Sequence, residues 1–153
     1  MKQKGFTILE ILLAIAILTL TLTIVTFSFS KLNTSQALDK SAVLVVSILD
    51  EARSLTLSSK GDSQHGVYFE MSQVVLFKGS TYSPSDPLNV VTNLNPLVGL
   101  QNINLSGGGT SVVFKRLTGH TDETGSLEVF LKASPSTLRL INISATGISD
   151  VDF

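Results

Sequence analysis

Between Ile11 and Ser30 the chain carries no Asp, Glu, Lys or Arg. A helix of about 20 residues rises about 30 Å, the hydrocarbon thickness of a bilayer. Leu12, Leu13, Ile15, Ile17, Leu18, Leu20, Leu22, Ile24, Val25, Phe27 and Phe29 fall all round such a helix. That distribution suits lipid better than one face of a soluble core. Most of the charge lies beyond Lys31, so one end of the chain reads as a membrane segment and the rest as a water-facing domain.

The start is ordered differently from a secretory signal, which ends its apolar stretch in a small-residue cleavage site. Here Lys2 and Lys4 come first, then Gly5 and Phe6, then the apolar run with one acid, Glu10, near its beginning. An ionisable group in a membrane helix costs roughly 2.5 to 3.5 kcal/mol and usually marks function, so Glu10 calls for a partner. By the positive-inside tendency, Lys2 and Lys4 hold the start in the cytoplasm and the remainder outside it.

The segment KGFTILEILLAIAIL resembles the signature of type IV pilin-like proteins. The resemblance implies a leader, residues 1–5, removed by prepilin peptidase after Gly5, and methylation of the new amino terminus at Phe6. It further implies that Phe6 and Glu10 serve subunit assembly. The implied partners are the peptidase, other pilin or pseudopilin subunits, an inner-membrane assembly platform and membrane lipid. The implied location is the cytoplasmic membrane, crossed once over residues 6–30, and then a type IV pilus-like or type II secretion pseudopilus filament. Many major pilins interrupt this helix with Gly or Pro; here Thr19, Thr21, Thr23 and Thr26 stand instead.

Beyond Lys31, Leu38, Ala42, Val45, Leu49, Ala52 and Thr56 recur at three- and four-residue spacing, one face of a helix. Asp39, Lys40, Asp50, Glu51 and Arg53 lie mostly off that face, and Gly61 is a stop signal. One long helix over 6–59 is expected, amphipathic over 31–59. From Gly66 the period turns toward two. GVYFEM and VVLFKG form a hairpin around Ser72 and Gln73, followed by strand-like LNVVTNL, LQNINLS, SVVFKR, SLEVFLKAS and STLRLINISATG. Turn-rich clusters separate them, including SGGGT, LTGHTDETG and the Ser134, Pro135, Ser136 corner. The expected fold is α+β: six or seven short strands in an antiparallel sheet over 60–153, packed against the long helix.

The order of Arg53 near the helix end, Gly66 opening the sheet and Gly147 in a final strand is similar to the H-type minor pseudopilins of type II secretion and related minor pilins. Some of that group bind DNA through a basic tail after the last glycine. Here Asp150 and Asp152 follow Gly147, and the net charge is −1, so nucleic acid is disfavoured as a partner. The two aspartates read as solvated rather than as a calcium pair. With no cysteine in the chain, the C-terminal disulfide usual in type IVa major pilins is excluded.

No nucleophile elbow, P-loop, zinc-protease or dinucleotide motif occurs, and Ser106 to Thr110 lacks the Lys of a phosphate loop. His120, Asp122 and Glu123 read as an exposed turn. The chain is read as a non-enzyme without metal or cofactor. The alternative is a membrane-anchored adhesin or ligand-binding module, with the loops Ser80 to Pro87 and Leu117 to Ser126 as its contacts.

Overall fold

The computed structural model describes residues 5–58 and 63–152, and the side chains of 25–32 lie outside that description. Expectations resting on Met1 to Lys4, on Gly61 and Phe153, or on the side chains of Val25, Thr26, Phe27, Phe29 and Lys31 therefore fall outside the described residues. The chain divides into two compact units, Met1–Ser35 and Gln36–Phe153.

Helix α1 runs without a break over Ile8–Leu57, 50 residues. In the first unit its large apolar residues from Ile8 to Ile24 are all at least half exposed. Three threonines there bond back to the helix. Thr19 donates to the Ala16 carbonyl (2.9 Å), Thr21 to Leu18 (2.9 Å) and Thr23 to Thr19 (2.7 Å). Such back-bonding satisfies a hydroxyl in apolar surroundings and tends to bend a helix slightly, and α1 stays continuous through it. Among the described residues no helix is long and apolar enough to cross a membrane; the expected span over 6–30 includes side chains outside the description.

In the second unit, the face read from spacing is the buried one. Leu38, Ala42, Val45, Leu49, Ala52 and Thr56 are each fully buried. The five apolar residues among them share one core with both sheets, joined by Val67, Phe69, Val74, Phe114, Leu127, Val129 and Ile141.

Among the described residues eight strands follow: β1 (His65–Phe69), β2 (Gln73–Lys78), β3 (Val90–Asn93), β4 (Val98–Leu105), β5 (Ser111–Val113), β6 (Gly125–Leu131), β7 (Ser134–Ile143) and β8 (Ser149–Asp152). They form two four-stranded sheets, ordered β3-β2-β1-β5 and β4-β6-β7-β8, and every pairing is antiparallel. The expected α+β fold, a long helix packed on antiparallel β-sheet, is the one observed, and its strands divide between two sheets. The Leu100 amide donates to the Met71 carbonyl (2.9 Å), tying the β1–β2 turn to β4.

Three local expectations change, and one strand is added. Gln73 is the first residue of β2 rather than part of its turn, with Phe69 opposite Val74. Ser134, Pro135 and Ser136 start β7, where a register shift follows Phe130; proline is tolerated at a strand's beginning. Gly147 lies in the turn before β8, with φ of 75°, and not in a strand. β8 itself went unread because SDVD offers one apolar residue and no alternation, whereas its pairing with β7 needs only backbone groups.

Candidate processing and assembly site

Gly5, Phe6 and Thr7 precede the helix in non-helical backbone and are exposed. Thr7 is the N-cap. Its carbonyl accepts from the amides of Glu10 (3.1 Å) and Ile11 (3.2 Å), and its hydroxyl accepts from the Glu10 amide (3.3 Å). With Glu10 three residues on, Thr7 and Glu10 occupy the positions of a capping box, T-x-x-E. The sequence reading missed Thr7, although this spacing was visible in it.

Glu10 therefore has a structural position besides any intersubunit one. Its carboxylate stands in the first turn of α1, where the helix dipole favours negative charge by about 0.3 to 1 kcal/mol. Phe6 and Glu10 also line one surface hollow of about 460 Å³ with Ile11, Ala14 and Ile15. The two residues singled out from sequence thus share one face at the start of the helix.

Among the described residues, Gly5 has no local structural reason to be glycine. A Cβ added there would meet nothing within 4 Å, and its φ is not among the positive ones. Gly66 is different: a Cβ would lie 2.5 Å from the Phe77 ring and 2.6 Å from the Val112 carbonyl, so close strand packing demands glycine there.

Arg53 and Gly147, named from their order in the sequence, are brought together by a third residue. Arg53 Nε donates to the Gly119 carbonyl (3.2 Å), and a Cβ on Gly147 would lie 2.0 Å from that same oxygen and 3.1 Å from Arg53 Nε. The Thr121 amide donates to the Ala145 carbonyl (3.1 Å), joining the two turns a second time. Gly66 is not part of this knot.

The remaining candidates are dispersed. His120 is exposed, whereas Gly119 and Thr121 beside it are buried, so this stretch is a docked turn rather than a free one. Asp122 pairs with Lys115 (2.6 Å). Glu123 accepts from the Thr121 hydroxyl (2.8 Å) and the Val113 amide (3.2 Å). In the other long loop, Tyr82 stacks on Tyr68 with ring centroids 4.0 Å apart. Gly107 and Gly108 take positive φ in the turn between β4 and β5. Asp150 and Asp152 are exposed on β8, opposite Asn142 and Leu140.

The family model of the prokaryotic N-terminal methylation motif matches residues 1–26. Among solved structures, the fold is similar to that of the type IV minor pilin FimU of Pseudomonas aeruginosa strain PAO1. The TM-score is 0.58 at 13% identity, over 76% of this chain and 93% of that one. No curated protein sequence matches.

Proposed function

We infer that this chain is a type IV pilin-like subunit that assembles into a pilus-like filament, because it joins a prepilin methylation motif to the pilin fold. The role is structural, and we read the chain as a subunit rather than an enzyme. The observation that carries the reading furthest is Gly5: packing and backbone leave it free to be any residue, yet it stands where the motif places the cleavage.

In this reading prepilin peptidase cuts between Gly5 and Phe6. That bond lies in exposed, non-helical backbone, the form a protease needs, and Thr7 keeps the helix capped once the leader is gone. Methylation then falls on the Phe6 amine. Glu10 pairs with the Phe6 amine of a neighbouring subunit, a charge-assisted contact that gains strength away from water.

Before assembly, residues 6–30 lie in the cytoplasmic membrane with residues 60–153 outside the cytoplasm, and the partners are lipid and the assembly platform. The support is the sleeve of exposed apolar side chains from Ile8 to Ile24. Contiguous apolar surface of that extent is covered in a working protein, first by lipid and then by other subunits. We further read the chain as a minor subunit of the H-type or a related minor pilin, supported by the juxtaposition of Arg53 and Gly147.

Intact-mass analysis of protein extracted from membranes tests the processing. The expected product starts at Phe6 and carries one added methyl group. A mature chain that starts elsewhere would remove the basis of the assignment.

A further inference from the structure

Each sheet has two outer edges, and two of the four are closed within the molecule. In β5 the Val113 amide turns outward and is taken by the Glu123 carboxylate (3.2 Å). In β4 the Leu100 amide goes to the Met71 carbonyl (2.9 Å), and a register shift between Gln101 and Asn104 interrupts the strand. The other two edges, β3 and β8, have no further strand beside them among the described residues.

Ladder alternation identifies the backbone groups left over. The Leu94 amide donates to the Ser72 carbonyl (2.9 Å), so Thr92 and Val90 turn to β2 and the backbone groups of Val91 and Asn93 turn outward. Likewise the Ser144 amide donates to the Ile148 carbonyl (3.0 Å), which leaves Ser149 and Val151 of β8 turned outward. Natural proteins blunt an open edge with charge. β8 carries Asp150 and Asp152, both exposed, whereas β3 carries no charge and leaves Val90 and Val91 more than half exposed.

The surroundings of the two edges are opposite in sign. Lys78 lies beside Val90 in a cleft at one end of β3. Lys40 lies beside Asn93 in a hollow at the other end, where Lys132 also donates to the Pro96 carbonyl (3.1 Å). Among the described residues none of these lysines pairs with a carboxylate, and neither aspartate of β8 pairs with a cation. Asp86, the one acid between Gly79 and Phe114, accepts from the Leu88 amide.

We propose that β3 of one subunit takes β8 of the next copy of this chain as an added strand, two outward residues facing two, with Asp150 and Asp152 set among the lysines. Two β8 edges would repel, and two β3 edges would bring lysines together, so the attraction exists only head to tail. A head-to-tail contact between copies propagates along a filament instead of closing on a pair. The inference rests on the filament reading for the presence of that neighbour. Four-residue edges are far smaller than a stable interface of about 1,200 to 2,000 Å², so the contact forms where assembly holds the copies side by side.

The test uses the full chain, which has no cysteine, expressed as two differently tagged copies. One carries Val91→Cys and the other Ile148→Cys, at side chains 52% and 56% exposed, and a short bismaleimide links them in sheared filaments. The expected result is a dimer with both tags, at least about fivefold above the dimer from either variant alone. Asp150→Lys with Asp152→Lys in the Ile148→Cys copy should lose it, and Lys40→Glu with Lys132→Glu in the other copy should restore it. Restoration requires both copies to be folded. Chain recovered in filaments without the mixed dimer, equal dimer from Val91→Cys alone, linkage of Val91→Cys to a different protein, or a swap that fails to restore would each overturn the pairing alone. Absence of the chain from filaments would overturn the subunit reading and the pairing with it.

Discussion

Arg139 and Asp39, 100 residues apart in sequence, meet on one carboxylate oxygen, with Nε and a terminal guanidinium nitrogen each 2.9 Å from Asp39 Oδ1. The contact fastens β7 to the flank of α1, beside the buried helix face. Both side chains keep some solvent access, 24% and 41%. Screening therefore holds the coupling to about 0.5 to 1 kcal/mol. A double-mutant cycle with Arg139→Met and Asp39→Asn, followed by urea unfolding, checks this. The chain for it starts at Lys31, and we expect it to be monomeric and to unfold cooperatively. A coupling of zero would mean that the ion pair is incidental to the fold.

Gly147→Ala should be among the most damaging small substitutions. The added methyl would sit 2.0 Å from the Gly119 carbonyl oxygen, at a φ of 75°. Relieving that clash means moving the turn that Arg53 holds, at a cost of about 2 to 4 kcal/mol. Gly107→Ala is the control, with positive φ but nothing within 4 Å of the new Cβ, and should cost about 1 kcal/mol. Thermal melts of the two variants rank them directly.

His65 should make stability depend on pH. Its folded pKa lies below the ordinary 6.5, chiefly through burial and then through Lys78. Below that ordinary value the unfolded chain takes up the proton while the folded chain resists, so stability falls as the pH falls. Above it both states are neutral and the contribution is fully present. Between about pH 7.5 and 5.5 the wild type should lose more stability than His65→Gln, in which the backbone amide that donates to the Thr56 hydroxyl (2.9 Å) is retained. Parallel slopes for the two proteins would remove His65 as the source.

Glu10→Gln should leave membrane retention and leader cleavage intact while reducing recovery of tagged subunit in sheared filaments at least severalfold. Removing a charge from the apolar segment favours lipid, so poor insertion cannot explain the loss. The Thr7 hydroxyl bonds the amide of residue 10 and not its carboxylate, so the cap survives the change. Leu13→Ala trims packing without touching charge and serves as control. Normal recovery of Glu10→Gln would leave the carboxylate with its capping position alone and would favour an anchored module that never polymerises.

The sequence by itself determined what repeats locally. The uncharged run, the lone Glu10 and the helix face through Leu38, Val45 and Leu49 all follow from composition and spacing, because a helix relates residues three and four apart wherever it is placed; the Gly5–Phe6 step came from the resemblance of the first segment to the prepilin signature. Only the tertiary structure decided the rest. Alternation marks a strand but not its neighbour, so the division into two sheets, and β8 with its two acids, depended on backbone pairing with β7. Arg53, Gly119 and Gly147 show no common pattern in the sequence. They form one site because the end of α1 and two distant turns converge, and the space there admits no side chain on Gly147. Nothing local in the sequence marks His65 as buried; its place at the start of β1 decided that.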